Sequence, residues 1–457
     1  FVHRLSCTIR EAKPSDLQSS GVRQWKNRRV IALLSPFTKR QATLAFQTRE
    51  APRHQHASNP VNIRFVSAAD REWIGELWSR LERRFGSTDI MCSWQWTETW
   101  IHHYGDQVHY CFAIGELDAE PVGLALVTCL IPLPIRTRTG WLDFRGIVHI
   151  GTAGEARGHS VDVEYNRLLA APSRRDEFAS GLLAAIRHKL RPIAIVLDGF
   201  VAEAIAAMSS VHQDLLVTDL PCPTFDLDRV RNEKKDVLSS LGSGVRARIR
   251  RSNRGFGELQ GEWASTPAQA LDIFEEMITL HQVRWEREGR RGAFASPRFA
   301  GFHRAFISRS MGSTGDASKV MLFRLRHHNS TIGCLYGFLE NGMVQFYQSG
   351  FVEVDDNHLK PGLSTHAACM QQCLERGLQT YNFLAGEARY KRELANTEYM
   401  LKSAIIYRYA RMATVVATVR RLGVIDRARA VKRWSEQAGV ARGHDRDPTH
   451  TTIDQTS

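Results

Sequence analysis

The sequence predicts an α/β protein built on mixed sheets, with one strand-and-helix unit appearing twice. Three observations carry this. Between Lys319 and Lys391 three apolar segments, KVMLFRLRH, STIGCLYGFL and GMVQFYQSGF, run into a helical LSTHAACMQQCLERG and a strand-like TYNFL. Earlier, HYCFAIG and PVGLALVTCL are followed by a helical stretch from Arg175 to about Lys189 and then the strand-like IAIVLDGF. In both places the second strand bears an early glycine, Gly123 and Gly333. The two stretches share order rather than identity, which marks a structural repeat.

Taken in order, residues 1–60 come first as a basic segment. They hold eleven Lys and Arg against three acids, +8 of the +13 net charge, and read as disordered. The first copy spans 61–228. From Asp70 the stripe Ile74, Leu77, Trp78, Leu81 and Phe85 predicts an amphipathic helix. Ser93 is placed as an N-cap for a second helix, with Trp96 and Trp100 one turn apart and read as buried packing. HYCFAIG and PVGLALVTCL follow as strands about a polar turn at Asp118, then a strand-like GWLDFRG.

Residues 229–318 read as a helical connector. Arg246, Arg248, Arg250, Arg251 and Arg254 crowd a stretch with no acid from 244 to 254. Such a stretch is either a solvated helix face or a contact for RNA phosphates. A long helix starts at Pro267, with Leu271, Phe274, Ile278, His281 and Trp285 on one side and His281 packed rather than ligating. Residues 319–410 form the second copy: a three-strand antiparallel ladder with an Asn341-Gly342 hairpin turn, a helix on the stripe Leu363, Ala367, Met370 and Leu374, a strand and a polar loop. SAIIYRYA reads as a last strand. Residues 411–457 read as a basic helix and a disordered tail.

Composition excludes several classes. Hydrophobic content of 43% and charged content of 24% are those of an ordinary globular chain. Outside the first 60 residues only +5 of charge remains, so charge alone does not argue for a nucleic-acid partner. The eight cysteines form no C-x-x-C pair and suit a reducing, cytoplasmic setting. The longest apolar run, PVGLALVTCLIPLPI, carries three prolines and is too short to span a membrane. Spacings for a metal enzyme, a Ser-His-Asp hydrolase or a Walker nucleotide site are absent, so no metal is expected.

One feature of the second copy does point to a ligand. Lys360-Pro361-Gly362 precedes its helix. A glycine there permits close backbone approach, and the free N–H groups of a first helical turn attract phosphate. The first copy has PSRRDEF at the same place, without a glycine, and reads as a non-binding partner.

The segment LKPGLSTHAACMQQCLERGLQTYNFLAGEARYKREL resembles GNAT-like acyltransferases of the cellulose-biosynthesis-associated branch. LHQVRWEREGRRGAFASPRFAGFHRAF at 280–306 resembles the same branch, as do, more weakly, the stretch near Trp94, VEYNRLL around Glu164 and LSSLGSGVRARIRRSNR. Together these cover roughly residues 65–410. Asn382 departs from the pattern, standing where the branch usually carries an acid.

The resemblance implies two tandem GNAT-like domains, the first degenerate, and a coenzyme A-type donor such as acetyl-CoA across the strand–helix junction of the second. It implies pyrophosphate contact by the backbone amides of Gly362, Leu363 and Ser364, with Lys360 adding charge. Strand GMVQFYQSGF, including Gln348, would hold the pantetheine arm. Glu387 would act as base, Tyr390 would protonate the leaving thiolate, and Lys391 would bind the oxyanion or an anionic substrate. The acceptor would be an amine or hydroxyl, on a sugar or an envelope-polysaccharide precursor. The tandem order also resembles Fem-type enzymes, which use aminoacyl-tRNA; a non-catalytic accessory role in exopolysaccharide synthesis is the remaining expectation.

Overall fold

The computed structural model describes residues 60–409 apart from 87–88, 131–134, 138–139, 143–145, 157, 210–214 and 312–317. The disorder expected for 1–60 and the basic helix and tail expected for 411–457 thus fall outside the described residues, save Pro60. Within them the first half runs β1 (Asn62–Val66), α1 (Arg71–Phe85), α2 (Trp94–Tyr104), β2 (His109–Leu117), β3 (Glu120–Leu130), β4 (Ile147–Ile150), α3 (Arg175–Ala185), β5 (Ala194–Val201), α4 (Ala202–Ser209) and β6 (Leu215–Asp226). After α5 (Ser243–Phe256) the same order returns. It reads β7 (Leu259–Trp263), α6 (Pro267–Arg287), α7 (Pro297–Ser310), β8 (Val320–His327), β9 (Ser330–Glu340), β10 (Met343–Phe351), α8 (Pro361–Glu375), β11 (Thr380–Asn382), α9 (Arg389–Leu394) and β12 (Thr397–Tyr407).

The repeat is therefore longer than its sequence kernel. The stretch expected to be a helical connector also supplies β7, which pairs antiparallel with β8. The last strand begins at Thr397, six residues before the SAIIYRYA that marks it in sequence. Of GWLDFRG, Gly140–Leu142 forms a small ribbon with Ile135–Thr137, and 143–145 lie outside the described residues.

Local chemistry explains the element ends. Ser93 Oγ accepts from Trp96 N–H at 3.2 Å, and Ser296 Oγ from Phe299 N–H at 3.2 Å, each capping its helix. Pro267 and Pro297 occupy first helical positions, where a missing N–H costs nothing. Asn341 and Gly342 both have positive φ (47° and 74°), the two-residue turn whose twist suits a hairpin. Gly123 and Gly333 serve the repeat in one way. A Cβ on Gly123 would lie 2.6 Å from the Phe178 ring of α3, and one on Gly333 would lie 2.6 Å from Thr365 Oγ1 of α8. In each half a bare backbone lets the following helix settle onto the sheet.

The strands make one mixed sheet in the order β1-β2-β3-β4-β5-β12-β6-β11-β10-β9-β8-β7. The two halves exchange their last strands: β12 pairs with β5 of the first half, and β6 with β11 of the second. At the centre β12 and β6 pair antiparallel from Thr397↔Thr224 to Ile406↔Leu215. The larger apolar core spans both halves. In it Trp96 of α2 meets Phe302, Phe306 and Phe338 edge-on at 4.8, 5.1 and 5.5 Å. A second core lies beneath α8 and α5. No helix among the described residues is long and apolar enough to cross a membrane.

Candidate active site

The second half opens a gap in its own sheet. Strand β10 pairs parallel with β11 only from Met343↔Thr380 to Gln345↔Asn382. Two features then part the chains. On β10, Tyr336↔Gln348 is followed by Gly337↔Phe346, so Tyr347 is an extra residue, and such a bulge bends its strand. After β11, Leu384 takes a left-handed φ of 57°, rare for a leucine, with its N–H held by Asn382 Oδ1 at 2.7 Å. Past Gln345, β10 therefore presents backbone groups with no strand partner on that side among the described residues.

The first half has the matching gap and closes it. Strands β4 and β5 pair from Ile147↔Ala194 to His149↔Val196 and then separate. Asn166 bridges the opening: its Nδ2 donates to Ile150 O at 3.0 Å and Asp198 O at 3.2 Å, while its N–H donates to Gly199 O at 2.8 Å. The same chain carries Asp162 and Glu164 across into the second half. There a pocket of about 210 Å³ is lined by Ser160, Asp162, Glu164, Tyr347, Gln348 and Lys391, among others.

Burial sets the electrostatics of this pocket. Glu164 Oε2 accepts from Ala385 N–H at 2.7 Å. Burial nevertheless holds its carboxyl above the usual range, outweighing that hydrogen bond and the charge of Lys391. Lys391 is displaced the opposite way: burial lowers it, with Glu164 resisting. Each partner is thus drawn toward its neutral form by burial. Lys391 Nζ donates to Ala385 O at 2.8 Å and Leu384 O at 3.3 Å, which leaves one of its three donors for the pocket. Asp162, exposed at the pocket edge, is also raised, by the protein crowded around it first and by Asp198, against a hydrogen bond from Ser160.

Two left-handed residues frame the pocket, Tyr165 beside Glu164 and Leu384 beside Ala385, both at φ 57°. Asn382 ties them together, since its Nδ2 donates to the Tyr165 hydroxyl while its Oδ1 holds Leu384. Asn382 is 1% exposed. A carboxylate there would be buried without the donor that reaches Tyr165, which accounts for the amide at this position.

The residues singled out in sequence separate into three groups. Gln348 and Lys391 share the pocket. Tyr390 does not line it, because 389–394 is a helix rather than the expected loop, and consecutive helical residues point about 100° apart. Its ring stacks on His366 at 5.3 Å beneath α8, and burial pushes its phenol up to about 12. Glu387 precedes that helix, is exposed, and does not line the pocket.

The third group sits at the start of α8. Lys360 and Gly362 are half-buried, while Leu363 and Ser364 are buried. Helix α5 covers part of this start: Ser252 Oγ accepts from Lys360 N–H at 2.8 Å and lies 2.8 Å from Ser364 Oγ. The Ser364 N–H donates to Lys360 O at 3.0 Å and is spent within the helix. Pro361 has no N–H, so the first-turn amides left are those of Gly362 and Leu363. Among the described residues no group of His, Cys, Asp or Glu is arranged to hold a metal ion.

Asp162, Glu164 and Tyr347 were not singled out in sequence. The alternation Val161-Asp162-Val163-Glu164 does signal an extended chain with two acids on one side. Nothing local says that they face Ala385, 221 residues away.

Residues 243–392, from the start of α5 into α9, match the family model of the acetyltransferase (GNAT) domain. Over that stretch the second half is similar to acetyltransferases of the GNAT type. Solved structures similar to the chain include FemX, at 11% identity over 73% of this chain and 96% of that one, TM-score 0.46. L-PGS from Bacillus licheniformis has 11% identity over 76% and 95%, TM-score 0.45. A tandem GNAT protein from the clavulanic acid biosynthesis pathway has 13% identity over 76% and 99%, TM-score 0.41. No curated protein sequence matches the chain.

Proposed function

We propose that the chain transfers an acyl group from a coenzyme A thioester, acetyl-CoA in the simplest case, to an amine or hydroxyl acceptor. A sugar or envelope-polysaccharide precursor is the acceptor that its resemblance to the cellulose-associated branch favours. The observation that carries the reading is the parted sheet at β10, which opens on a pocket holding Glu164 of one half and Lys391 of the other.

The donor fits the residues present. The amides of Gly362 and Leu363 and the charge of Lys360 would take the diphosphate. From Phe351, which packs beside Gly362, to Tyr347 is four residues of strand, roughly 13 Å, a span that a pantetheine arm covers. Unpaired backbone groups of β10 would hold that arm and place the thioester at the pocket. Glu164 then removes a proton from the acceptor, whose lone pair attacks the thioester carbon. The free donor of Lys391 stabilises the oxyanion, and the C–S bond breaks as the thiolate leaves. Glu164 takes the role that the resemblance implied for Glu387.

Calorimetry on the full chain tests the donor site. Gly362→Asp places a carboxylate where phosphate would sit and is expected to weaken acetyl-CoA binding at least about tenfold. A Cβ at 362 lies 3.2 Å from the Phe351 ring, so Gly362→Ala measures the steric part and should stay within about threefold of wild type. Equal loss in both variants, or none in either, would remove the diphosphate from this helix start.

A second reading is the Fem-type one, with aminoacyl-tRNA as donor, and α5 favours it. Arg250, Arg251 and Arg254 are exposed beside the start of α8; Arg251 reaches His358, and none has a carboxylate partner among the described residues. If RNA binds there, affinity falls steeply with salt, and replacing all three arginines by glutamine lowers the slope of log K against log salt by about 2–3. A slope near zero for the wild type with bulk tRNA excludes it.

A further inference from the structure

Helix α8 buries a histidine just inside its start. His366 lies one turn past Gly362, at the i, i+4 spacing that puts two residues on one side of a helix. It is 1% exposed. Its imidazole stands where the sheet parts. The last pair between β10 and β11 is Gln345↔Asn382. The next residue on each side, Phe346 and Phe383, meets the imidazole at 4.6 and 5.6 Å between ring centres. Phe351, which packs beside Gly362, is 6.0 Å from the same ring. The imidazole thus lies between the helix start and the opened strand, along the route proposed for the donor arm.

One nitrogen of that ring is spent and the other is not. Nδ1 lies 3.0 Å from the Tyr381 hydroxyl. Nε2 is sealed from water and has no hydrogen-bond partner among the described residues. Burial first, then the charge of Lys391, lowers the imidazole to about 3, so the ring is neutral. A buried polar atom left unpaired destabilises a fold, and an apolar side chain like those of Leu363, Ala367 and Met370 on the same helix would avoid that loss. The stacking on Tyr390 does not call for the nitrogen either, since phenylalanine stacks as well. A group that arrives with the ligand does account for it.

The chemistry of that group follows from the ring. If the Tyr381 hydroxyl donates to Nδ1, Nε2 bears the proton and needs a carbonyl oxygen; if Nδ1 donates to the hydroxyl, Nε2 needs an N–H. An amide offers both. Four residues of helix carry His366 about 6 Å past Gly362. In a coenzyme A thioester the first amide of the pantetheine arm comes about five bonds, roughly 6–7 Å, from the diphosphate. With the diphosphate at Gly362, that amide falls level with the free nitrogen.

Resting on the acyltransferase reading, we infer that His366 is a donor-binding residue. Its free Nε2 hydrogen-bonds the first amide of the pantetheine arm and fixes how far the thioester reaches toward Glu164 and Lys391. The site then selects its donor by the arm as well as by the diphosphate. A pantetheine thioester completes the buried pair. A donor without that amide, an aminoacyl ester of RNA included, leaves the nitrogen orphaned.

The test separates the two ring nitrogens by calorimetry on the full chain. His366→Asn keeps a polar group where Nδ1 meets Tyr381 and removes the one at Nε2; His366→Gln does the reverse. His366→Asn is expected to weaken acetyl-CoA binding about 5–50-fold, the loss when a buried amide is left without its partner. His366→Gln should stay within about threefold of wild type. The nucleotide end without the arm, 3′-phospho-ADP, should bind all three proteins alike. Ligand-free melts check that each variant folds. Should either fail to, histidine nitrogen NMR of the wild type decides: acetyl-CoA, but not 3′-phospho-ADP, should shift the Nε2 resonance of a neutral imidazole. Equal loss in both variants, loss in neither, a parallel loss of 3′-phospho-ADP, or no such shift overturns the inference and leaves the donor site standing. If the wild type does not bind acetyl-CoA, the acyltransferase reading falls and takes the inference with it.

Discussion

Glu164→Gln is expected to lower kcat/KM by about 10²–10⁴-fold, the range that a positioned general base supplies. Glutamine keeps an acceptor oxygen for Ala385 N–H, so the pocket wall should survive while the proton acceptor is lost. The pH profile separates this role from a structural one. In the wild type the rate should climb as Glu164 loses its proton, on a limb above the ordinary carboxylate range because burial raises that group. In the variant this limb should vanish.

Stability should move the other way. A carboxyl raised in the folded state keeps a proton that the unfolded chain has already released, so folding stability drops as pH rises from the ordinary carboxylate value through the raised one. Glutamine cannot ionise and escapes that loss. Above this window Glu164→Gln should therefore melt no lower than wild type while being nearly inactive. Retained activity, or an unchanged acid limb, would take the base role away from Glu164.

Trp96→Ala is expected to cost about 3–5 kcal/mol, the usual range for deleting a large buried aromatic. Trp96 is fully buried, and its Nε1 donates to Thr152 Oγ1 at 3.0 Å, so truncation leaves both a cavity and an orphaned hydroxyl. The indole comes from the first half, and its three aromatic neighbours from the second. Because the halves also share strands, urea unfolding should shift as one transition seen alike by tryptophan fluorescence and far-UV dichroism. Separate transitions, or a loss below about 1 kcal/mol, would show that the two halves do not depend on this contact to unfold as one.

The elements legible in sequence were those set by local chemistry. Helix α2 announces itself by Ser93 and two tryptophans a turn apart, and the β9–β10 hairpin by Asn341-Gly342. Even the repeat shows, through Gly123 and Gly333, because both meet the same demand for close helix packing. What stayed hidden depends on contacts between distant parts of the chain. No local pattern says that β6 and β12 change places, since an exchanged strand has the same alternation as one that stays. The site divides in the same way. Lys391 and Gln348 are reached through the resemblance of the segments that carry them to a known family. Glu164 is not, because its partner is on the other half, and Tyr390 is lost to the pocket because it points about 100° away from Lys391 on a short helix.

The exchanged strands have a consequence during synthesis. On the ribosome β5 and β6 emerge early, yet the strand that lies between them is the last of the sheet to be made. At about 5–20 residues per second, the roughly 180 residues from Asp226 to Tyr407 keep those two edges bare for some 10–40 s. The nascent chain must hold them away from neighbours until its final segment arrives, and a stop before that point leaves both halves unfinished rather than one half complete.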